Sequence, residues 1–508
     1  MWGDSVTAKH AQTNFDLLII GGGVNGAGIA RDAAGRGLRV LLCEKNDLGG
    51  ATSAASTKLI HGGLRYLEQY DFRLVGESLR ERVRLLGIAP HIIWPLRFVL
   101  PYERGQRPRW MIRLGLWLYD HLGNRGPIPA SQSVNLLCDP AGVPLKEHFR
   151  TGYSYWDCWV QDNRLVVLNA MDAKAKGADI RPRTAVSRAE RWNGSWRVTL
   201  STGETITARL LVNAAGPWSA QILDSISDTA PPGPLSLVKG SHIVIPRIAA
   251  HDSAYLLQNE DRRVVFAIPY EQEYTLLGTT EVGFKGDPGS ASIDSSEIEY
   301  LCSAANRFFA QAIRPDAVHW SFSGVRPLFG QNDDPSDISR GYRLILETGR
   351  GAPLLNIFGG KLTTYRKLAE EAMAMVSPIL GYEDRPWTAT RPLPGGEFDA
   401  RDFCHMLAEL QATYPWLSAQ DARRFLRHYG TRTHAILKSA KKREDLGRHF
   451  GFGITEAELD YAVCSEWVQT GEDFFWRRTK AGLRLTEKKK KEISHWIETR
   501  SKYDRVAE

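Results

Sequence analysis

The chain has few cysteines for its length, and none are paired by spacing. Six of its 508 residues are cysteine (Cys43, Cys138, Cys158, Cys302, Cys404 and Cys464), with no CxxC, which argues against a paired-thiol redox motif and a cysteine zinc centre. They read as reduced, mostly buried thiols of a cytosolic protein. No stretch reaches eighteen uncharged apolar residues, so nothing reads as a membrane-crossing helix. Residues 1–15 have neither the apolar core nor the small-residue cleavage pattern of a signal peptide and are expected to form a disordered leader. No EF-hand ligand pattern occurs, and no metal is expected. The charge excess is slight, 65 Lys and Arg against 58 Asp and Glu, and it is spread along the chain. With no nucleic-acid recognition module, this balance suits an anionic substrate or an anionic membrane surface and no nucleic acid.

Against these absences stands Asp16-Leu-Leu-Ile-Ile-Gly-Gly-Gly-Val-Asn-Gly-Ala-Gly-Ile-Ala30. Its aliphatic run reads as a strand buried on both faces of a parallel sheet. Gly21, Gly23 and Gly26 stand at GxGxxG spacing: the first permits a sharp turn, the second close approach to a pyrophosphate, and the third close packing of helix on strand. The free N–H groups and dipole of the following helix favour a diphosphate. Leu38-Arg-Val-Leu-Leu-Cys43 reads as the second strand. Glu44 then stands where a carboxylate accepts hydrogen bonds from an adenosine ribose and disfavours a 2′-phosphate. FAD or NAD is therefore expected over NADP.

The next stretch, residues 47–66, is rich in small and hydroxylated residues. Thr52, Ser53, Ser56 and Thr57 suit a phosphate- or ring-cradling loop, and His61-Gly62-Gly63 permits approach to a flat ligand. Further on, a helix ending at Gly177 and a hairpin around Gly203 lead to Leu210-Leu-Val-Asn-Ala-Ala-Gly-Pro-Trp218, a buried strand ending in small residues. Pro231-Pro-Gly-Pro234 marks a boundary. Four apolar or alternating segments follow between residues 235 and 280 and read as an antiparallel sheet. Gly359-Gly-Lys-Leu-Thr-Thr-Tyr-Arg366 again places glycines before a helix, and Arg391-Pro-Leu-Pro-Gly-Gly-Glu397 reads as a linker to a helical C-terminal region. Two segments keep two readings each. Residues 108–122, rich in tryptophan and arginine, fit a core helix or an interfacial amphipathic helix. Lys488-Lys-Lys-Lys491 fits a solvated face or a contact with anionic headgroups.

The run from Ile20 to Gly37, with Ser56-Thr-Lys-Leu-Ile-His-Gly-Gly-Leu-Arg-Tyr66, closely resembles the FAD-dependent, respiratory glycerol-3-phosphate dehydrogenases. Ser241-His-Ile-Val-Ile-Pro246, Gly278-Thr-Thr280, Ser323-Gly-Val-Arg-Pro327 and residues 359–369 extend the resemblance over nearly the whole chain. It implies an α/β fold: a two-dinucleotide-binding-domain FAD flavoprotein with an antiparallel-sheet substrate domain and a C-terminal helical domain. The FAD-binding part is expected over residues 16–230 and 340–390, the substrate-binding part over 231–339 and the helical part over 391–508. FAD contacts are expected at Gly21, Gly23, Gly26, Glu44, Thr52, Ser53, Thr57, Lys58, Leu59, His61, Ala215, Gly216, Gly360, Leu362 and Thr363.

The implied reaction oxidises sn-glycerol 3-phosphate to dihydroxyacetone phosphate by hydride transfer to flavin N5, with electrons passing to membrane quinone. The resemblance also implies a peripheral enzyme on the cytoplasmic face of a bacterial inner membrane, and a homodimer. Arg65, Tyr66, Thr279 and Arg340 are expected at the substrate, because a phosphate dianion suits arginine's planar fork. His242 is taken as base, since an imidazole of pKa about 6.5 exchanges protons at neutral pH. Arg326, a poor acceptor, is expected to stabilise the developing alkoxide, and Lys361 is an alternative base if burial lowers its pKa. A glycerol-3-phosphate oxidase using oxygen and a non-catalytic FAD-dependent sensor of glycerol phosphate stand as alternatives.

Overall fold

The computed structural model describes residues 14–69, 71–103, 107–226, 233, 235–261, 263–330 and 341–507. The aliphatic run forms the strand Asn14–Ile20, which pairs in parallel with Thr205–Asn213 on one side and Val40–Cys43 on the other. Side chains alternate across this strand. Leu17 and Ile19 enter a core shared with helices Val24–Gly35, Asp162–Ala175 and Tyr365–Leu380, whereas Leu18 and Ile20 face a core containing Trp196, Val198 and Ile206. Two-sided burial explains the unbroken apolar run. Leu354–Gly359 lies beyond Thr205–Asn213, and Tyr342–Glu347 closes that edge antiparallel. The last strands thus return beside the first glycine turn.

Leu235–Pro246, Ala254–Gln258, Val264–Tyr270 and Tyr274–Gly278 form an antiparallel sheet, as their pattern predicts; the last three pair in succession and Leu235–Pro246 lies beside Tyr274–Gly278. Trp320–Phe329 pairs along the other side of Leu235–Pro246. This second sheet has ten strands and also includes Leu59–Ile60, Ile93–Tyr102, Gln132–Asn135 and Thr151–Val160. These four strands come from the stretch that sequence placed with the FAD-binding part. Pairing between residues 49 to 67 positions apart, from Tyr102↔Thr151 to Ile93↔Val160, leaves no local signature. Helix Ser295–Asn306 covers one face of the sheet, and helices Phe72–Ile88 and Arg109–His121 pack on the other. The boundary at residues 231–234 lies mostly outside the described residues.

The C-terminal region is chiefly helical, with one two-stranded ribbon. Phe403, Phe425, Leu426, Ile436 and Tyr461 share the core of the dinucleotide sheet, so this region is packed on and not tethered. The cysteines separate evenly: Cys43, Cys158 and Cys302 are buried thiols, while Cys138, Cys404 and Cys464 are exposed, contrary to the expectation that most are buried.

Helix Arg109–His121 resolves one of the two-way readings. Leu116 and Tyr119 are buried, but Trp110 is 65% exposed, Trp117 52% and Leu114 47%. It is therefore not a core helix; one face is anchored and the other presents large apolar side chains to the outside. The lysine run is divided instead: Lys489 and Lys490 pair with Glu492 and Glu487, leaving Lys488 and Lys491 exposed. Lys488 and Lys491, three residues apart, share one exposed face, so two of the four lysines face outward together and the other two are paired with carboxylates. Among the described residues no helix is long and apolar enough to cross a membrane.

Candidate active site

The first glycine turn is shaped by exclusion. Gly21 has φ +111°, and a Cβ there would lie 2.5 Å from the Ala214 carbonyl oxygen; at Gly26 a Cβ would lie 1.9 Å from the Gly21 oxygen. Strand, turn and helix fit only without side chains at these positions. The N-cap residue, Gly23, brings no side-chain cap to the helix that follows, and the first turn carries no acidic residue, so the N–H groups beyond Val24 suit an anion. Ser53 Oγ accepts from Val24 N at 3.0 Å and thereby draws the hydroxylated loop onto the turn. Glu44 accepts from Gly22 N (2.7 Å) and Asn46 N (2.8 Å); burial raises its pKa, and a second lone pair on each oxygen suits a ribose hydroxyl.

The second glycine turn meets the first. Gly359 and Gly360 both have positive φ, and Asn25 Nδ2 donates to the Gly359 carbonyl at 3.0 Å. Asn25 Oδ1 is buried and has no hydrogen-bond partner among the described residues. Thr363 Oγ1 accepts from His61 N (3.2 Å) and donates to His61 O (3.3 Å), tying this turn to the His61–Gly63 segment. Gly62 N in turn donates to Tyr119 Oη at 2.8 Å, beside Asp157 and Arg82. Leu362 and Thr363 are buried, while Ala215 and Gly216 stand half-exposed at the end of their strand. A Cβ at Gly216 would meet nothing within 4 Å.

A third wall comes from the second sheet. The register pairs His242 with Phe322, Gly240 with Gly324 and Val238 with Arg326, so alternation sends these residues to one face. Thr52 Oγ1 donates to Val325 O at 2.6 Å, and a Cβ at Gly324 would lie 2.7 Å from Ala55 Cβ, so the hydroxylated loop crosses this face. A Cβ at Gly240 would lie 2.7 Å from Thr279 Oγ1 and 2.9 Å from Arg326 Nη2; glycine admits the guanidinium, which donates to Thr279 at 3.3 Å. Glu281 lies 3.8 Å from Arg326 Nη1. His242 is fully buried, stacked on Phe322 at 4.9 Å, with Nε2 3.0 Å from Thr57 Oγ1 and Nδ1 without a hydrogen-bond partner among the described residues. Burial, then Arg326 and Lys58, hold its pKa well below the ordinary imidazole value. Both effects favour the neutral ring and move it away from the near-neutral titration expected of an ordinary imidazole.

Other expected residues take more specific places. Lys361 Nζ lies 3.8 Å over the Tyr66 ring centroid, a contact that suits a cation. Lys58 directs its ammonium to Asp162 Oδ2 (2.8 Å) and Ala54 O (3.1 Å), and Leu59 joins the second sheet's core with Phe98; both side chains support the loop from beneath. Arg65 lies in the turn Leu64–Gln69 with its side chain outside the described residues, and Arg340 lies outside them altogether. Sequence reasoning missed Asn25, Gly240, Phe322 and Asp162. Glycine inside a strand, as at 240 and 324, was the available signal of close approach.

Two glycine turns joined by Asn25, with a basic, histidine-bearing sheet beside them, fit FAD: small residues line an extended path, and the buried Asn25 Oδ1 and His242 Nδ1 lack hydrogen-bond partners among the described residues. The class is a dinucleotide-dependent flavin oxidoreductase. The chain belongs to the FAD dependent oxidoreductase family, which matches residues 16–366, and residues 386–503 match the C-terminal domain of alpha-glycerophosphate oxidase. FAD is its cofactor. It is 48% identical over 489 residues to D-erythritol 1-phosphate dehydrogenase of Brucella abortus, covering 95% of this chain and 97% of that one. It is 47% identical over 491 residues to aerobic glycerol-3-phosphate dehydrogenase of Escherichia coli, covering 95% and 97%. The solved glycerol-3-phosphate dehydrogenase of Bacillus halodurans complexed with FAD aligns over 97% of this chain and 96% of its own, with 27% identity and a TM-score of 0.74. Among the described residues no cluster of side chains is arranged to hold a metal ion.

Proposed function

We propose that this enzyme oxidises sn-glycerol 3-phosphate to dihydroxyacetone phosphate and passes the electrons to membrane quinone. The observation that supports it most is the convergence of Arg326, Thr279 and His242 on one sheet face beside the loop holding Thr57. Bound FAD supplies the acceptor for the hydride from substrate C2. Arg326, oriented by Thr279 and Glu281, stabilises the alkoxide as the hydroxyl proton leaves. His242 receives that proton at Nδ1, with Nε2–H directed to Thr57 Oγ1, the tautomer that a base requires. Lys361 adds positive charge for the phosphate, with Arg65 and Arg340 as further candidates.

A second substrate reading is D-erythritol 1-phosphate, favoured by the 48% identical relative of that name. Both are phosphate monoesters of a polyol, so the anion pocket serves either. Anaerobic mixing of the purified holoenzyme with each compound decides: fast bleaching of the flavin by glycerol 3-phosphate is expected, and bleaching by the erythritol compound alone would reverse the assignment. Reoxidation then separates the alternatives. Quinone reduction without stoichiometric peroxide is expected, abundant peroxide would make the enzyme an oxidase, and no bleaching by either compound would favour a sensor.

The proposal places the enzyme peripherally on the cytoplasmic face of a bacterial inner membrane, as a homodimer. Its lipid contact is helix Arg109–His121, whose exposed Trp110, Leu114 and Trp117 are accompanied by Arg109. That apolar face replaces the lysine run as the preferred contact.

A further inference from the structure

The C-terminal region grips the loop after the second strand of the dinucleotide sheet through Arg477 and Arg478, and through Asp473 by way of Arg183. The short π-helix Asp473–Arg478 ends in two arginines that both hold Asp47, more than 400 residues away in sequence. Arg478 is fully buried: Nη1 and Nη2 donate to the two Asp47 carboxylate oxygens at 2.8 and 2.7 Å, while Nε and Nη2 also donate to the Glu466 carbonyl at 3.0 and 2.7 Å. Arg477 Nε donates to Asp47 at 2.5 Å and is itself paired with Asp473. Asp473 extends the connection, accepting from Arg183 Nη2 at 2.6 Å; the Arg183 amide donates to Asn46 O at 2.8 Å.

The residues gripped in this way, 44–49, form the loop beside the first glycine turn. Gly49 N donates to Gly22 O at 2.9 Å, Gly22 N donates to Glu44, and a Cβ at Gly22 would lie 2.9 Å from Leu48 Cδ2. By the logic of the dinucleotide fold this loop borders the adenosine half of the cofactor. A buried ion pair is a poor device for stability alone, because apolar residues of equal volume do as well; a bidentate arginine–carboxylate pair instead fixes orientation. Although burial alone would raise it, the Gln469 amide, Arg477 and Arg183 hold the Asp473 pKa at about 2, so Asp473 stays charged at any working pH.

We propose that the C-terminal domain acts as a cofactor latch, in which Arg477 and Arg478 hold Asp47 and thereby set how tightly FAD is retained. They are positioning residues that act through the 44–49 loop. The test measures the dissociation constant and release rate of FAD from the holoenzyme by recovery of flavin fluorescence, in Arg478→Met, Arg477→Gln and Asp47→Asn. Arg424→Met serves as control, since it breaks the bidentate Arg424–Glu458 pair inside the same domain and away from the loop. Arg478→Met should weaken FAD binding about tenfold or more and Arg477→Gln about threefold, with turnover at saturating FAD little changed and the control within twofold. Wild-type affinity in Arg478→Met, or equal weakening in Arg424→Met, would overturn the latch. If Arg478→Met does not fold, Asp47→Asn and Arg477→Gln decide: release at the wild-type rate in both rejects the proposal.

Discussion

Lowering the pH offers the sharpest test of His242. An imidazole with the ordinary pKa of about 6.5 is neutral in only about one molecule in eleven at pH 5.5, so a reaction needing it as base slows about tenfold from its plateau. His242 is fully buried and shares its surroundings with Arg326 and Lys58, all of which oppose protonation. Flavin bleaching in a stopped-flow instrument should therefore change less than about twofold between pH 7.5 and 5.5. Substrate must saturate at each pH, because a phosphate monoester itself titrates near pH 6. His242→Gln should slow bleaching about 100-fold or more at every pH in that window. A tenfold fall centred near pH 6.5 in the wild type and absent from the variant would show that the ring titrates normally. Bleaching of His242→Gln within twofold of wild type would remove it from the chemistry altogether.

Gly26→Ala would place its Cβ 1.9 Å from the Gly21 carbonyl oxygen, against backbone that has nowhere to move; overpacking of this kind costs about 1–3 kcal/mol. The variant should purify with little FAD, and normal flavin content would contradict the geometry. Burial, Arg424 and Arg164 lower the His428 pKa to about 3, so the folded state holds it neutral while the unfolded chain protonates below about 6.5. The wild type should consequently lose stability relative to His428→Gln with a slope that grows from about 0.7 kcal/mol per pH unit at pH 6.5 to about 1.4 at pH 5. A pH-independent difference in urea unfolding would reject that assignment. Trp110→Ser combined with Trp117→Ser should weaken binding to anionic vesicles about tenfold, while glutamines at Lys488, Lys489, Lys490 and Lys491 should change it less than threefold; the reverse order would return the lipid contact to the lysine run.

Local chemistry made part of this protein legible from sequence alone. Gly21, Gly23, Gly26 and Glu44 announce a dinucleotide because each answers a steric or hydrogen-bonding demand of a single strand–turn–helix, within about 30 residues. The strands between residues 235 and 280 are equally local, since pleating forces alternation. Only the tertiary structure could decide the remainder. That the His242 pKa is lowered depends on burial together with charges at Arg326 and Lys58, which lie far from it in sequence. That helix Arg109–His121 exposes its tryptophans depends on which face the second sheet left uncovered, and both readings share one amphipathic pattern. The grip of Arg477 and Arg478 on Asp47 joins segments more than 400 residues apart. Sequence determines what each segment can do locally; burial and long-range charge arise only where segments meet, and they decide which of those capacities the folded protein uses.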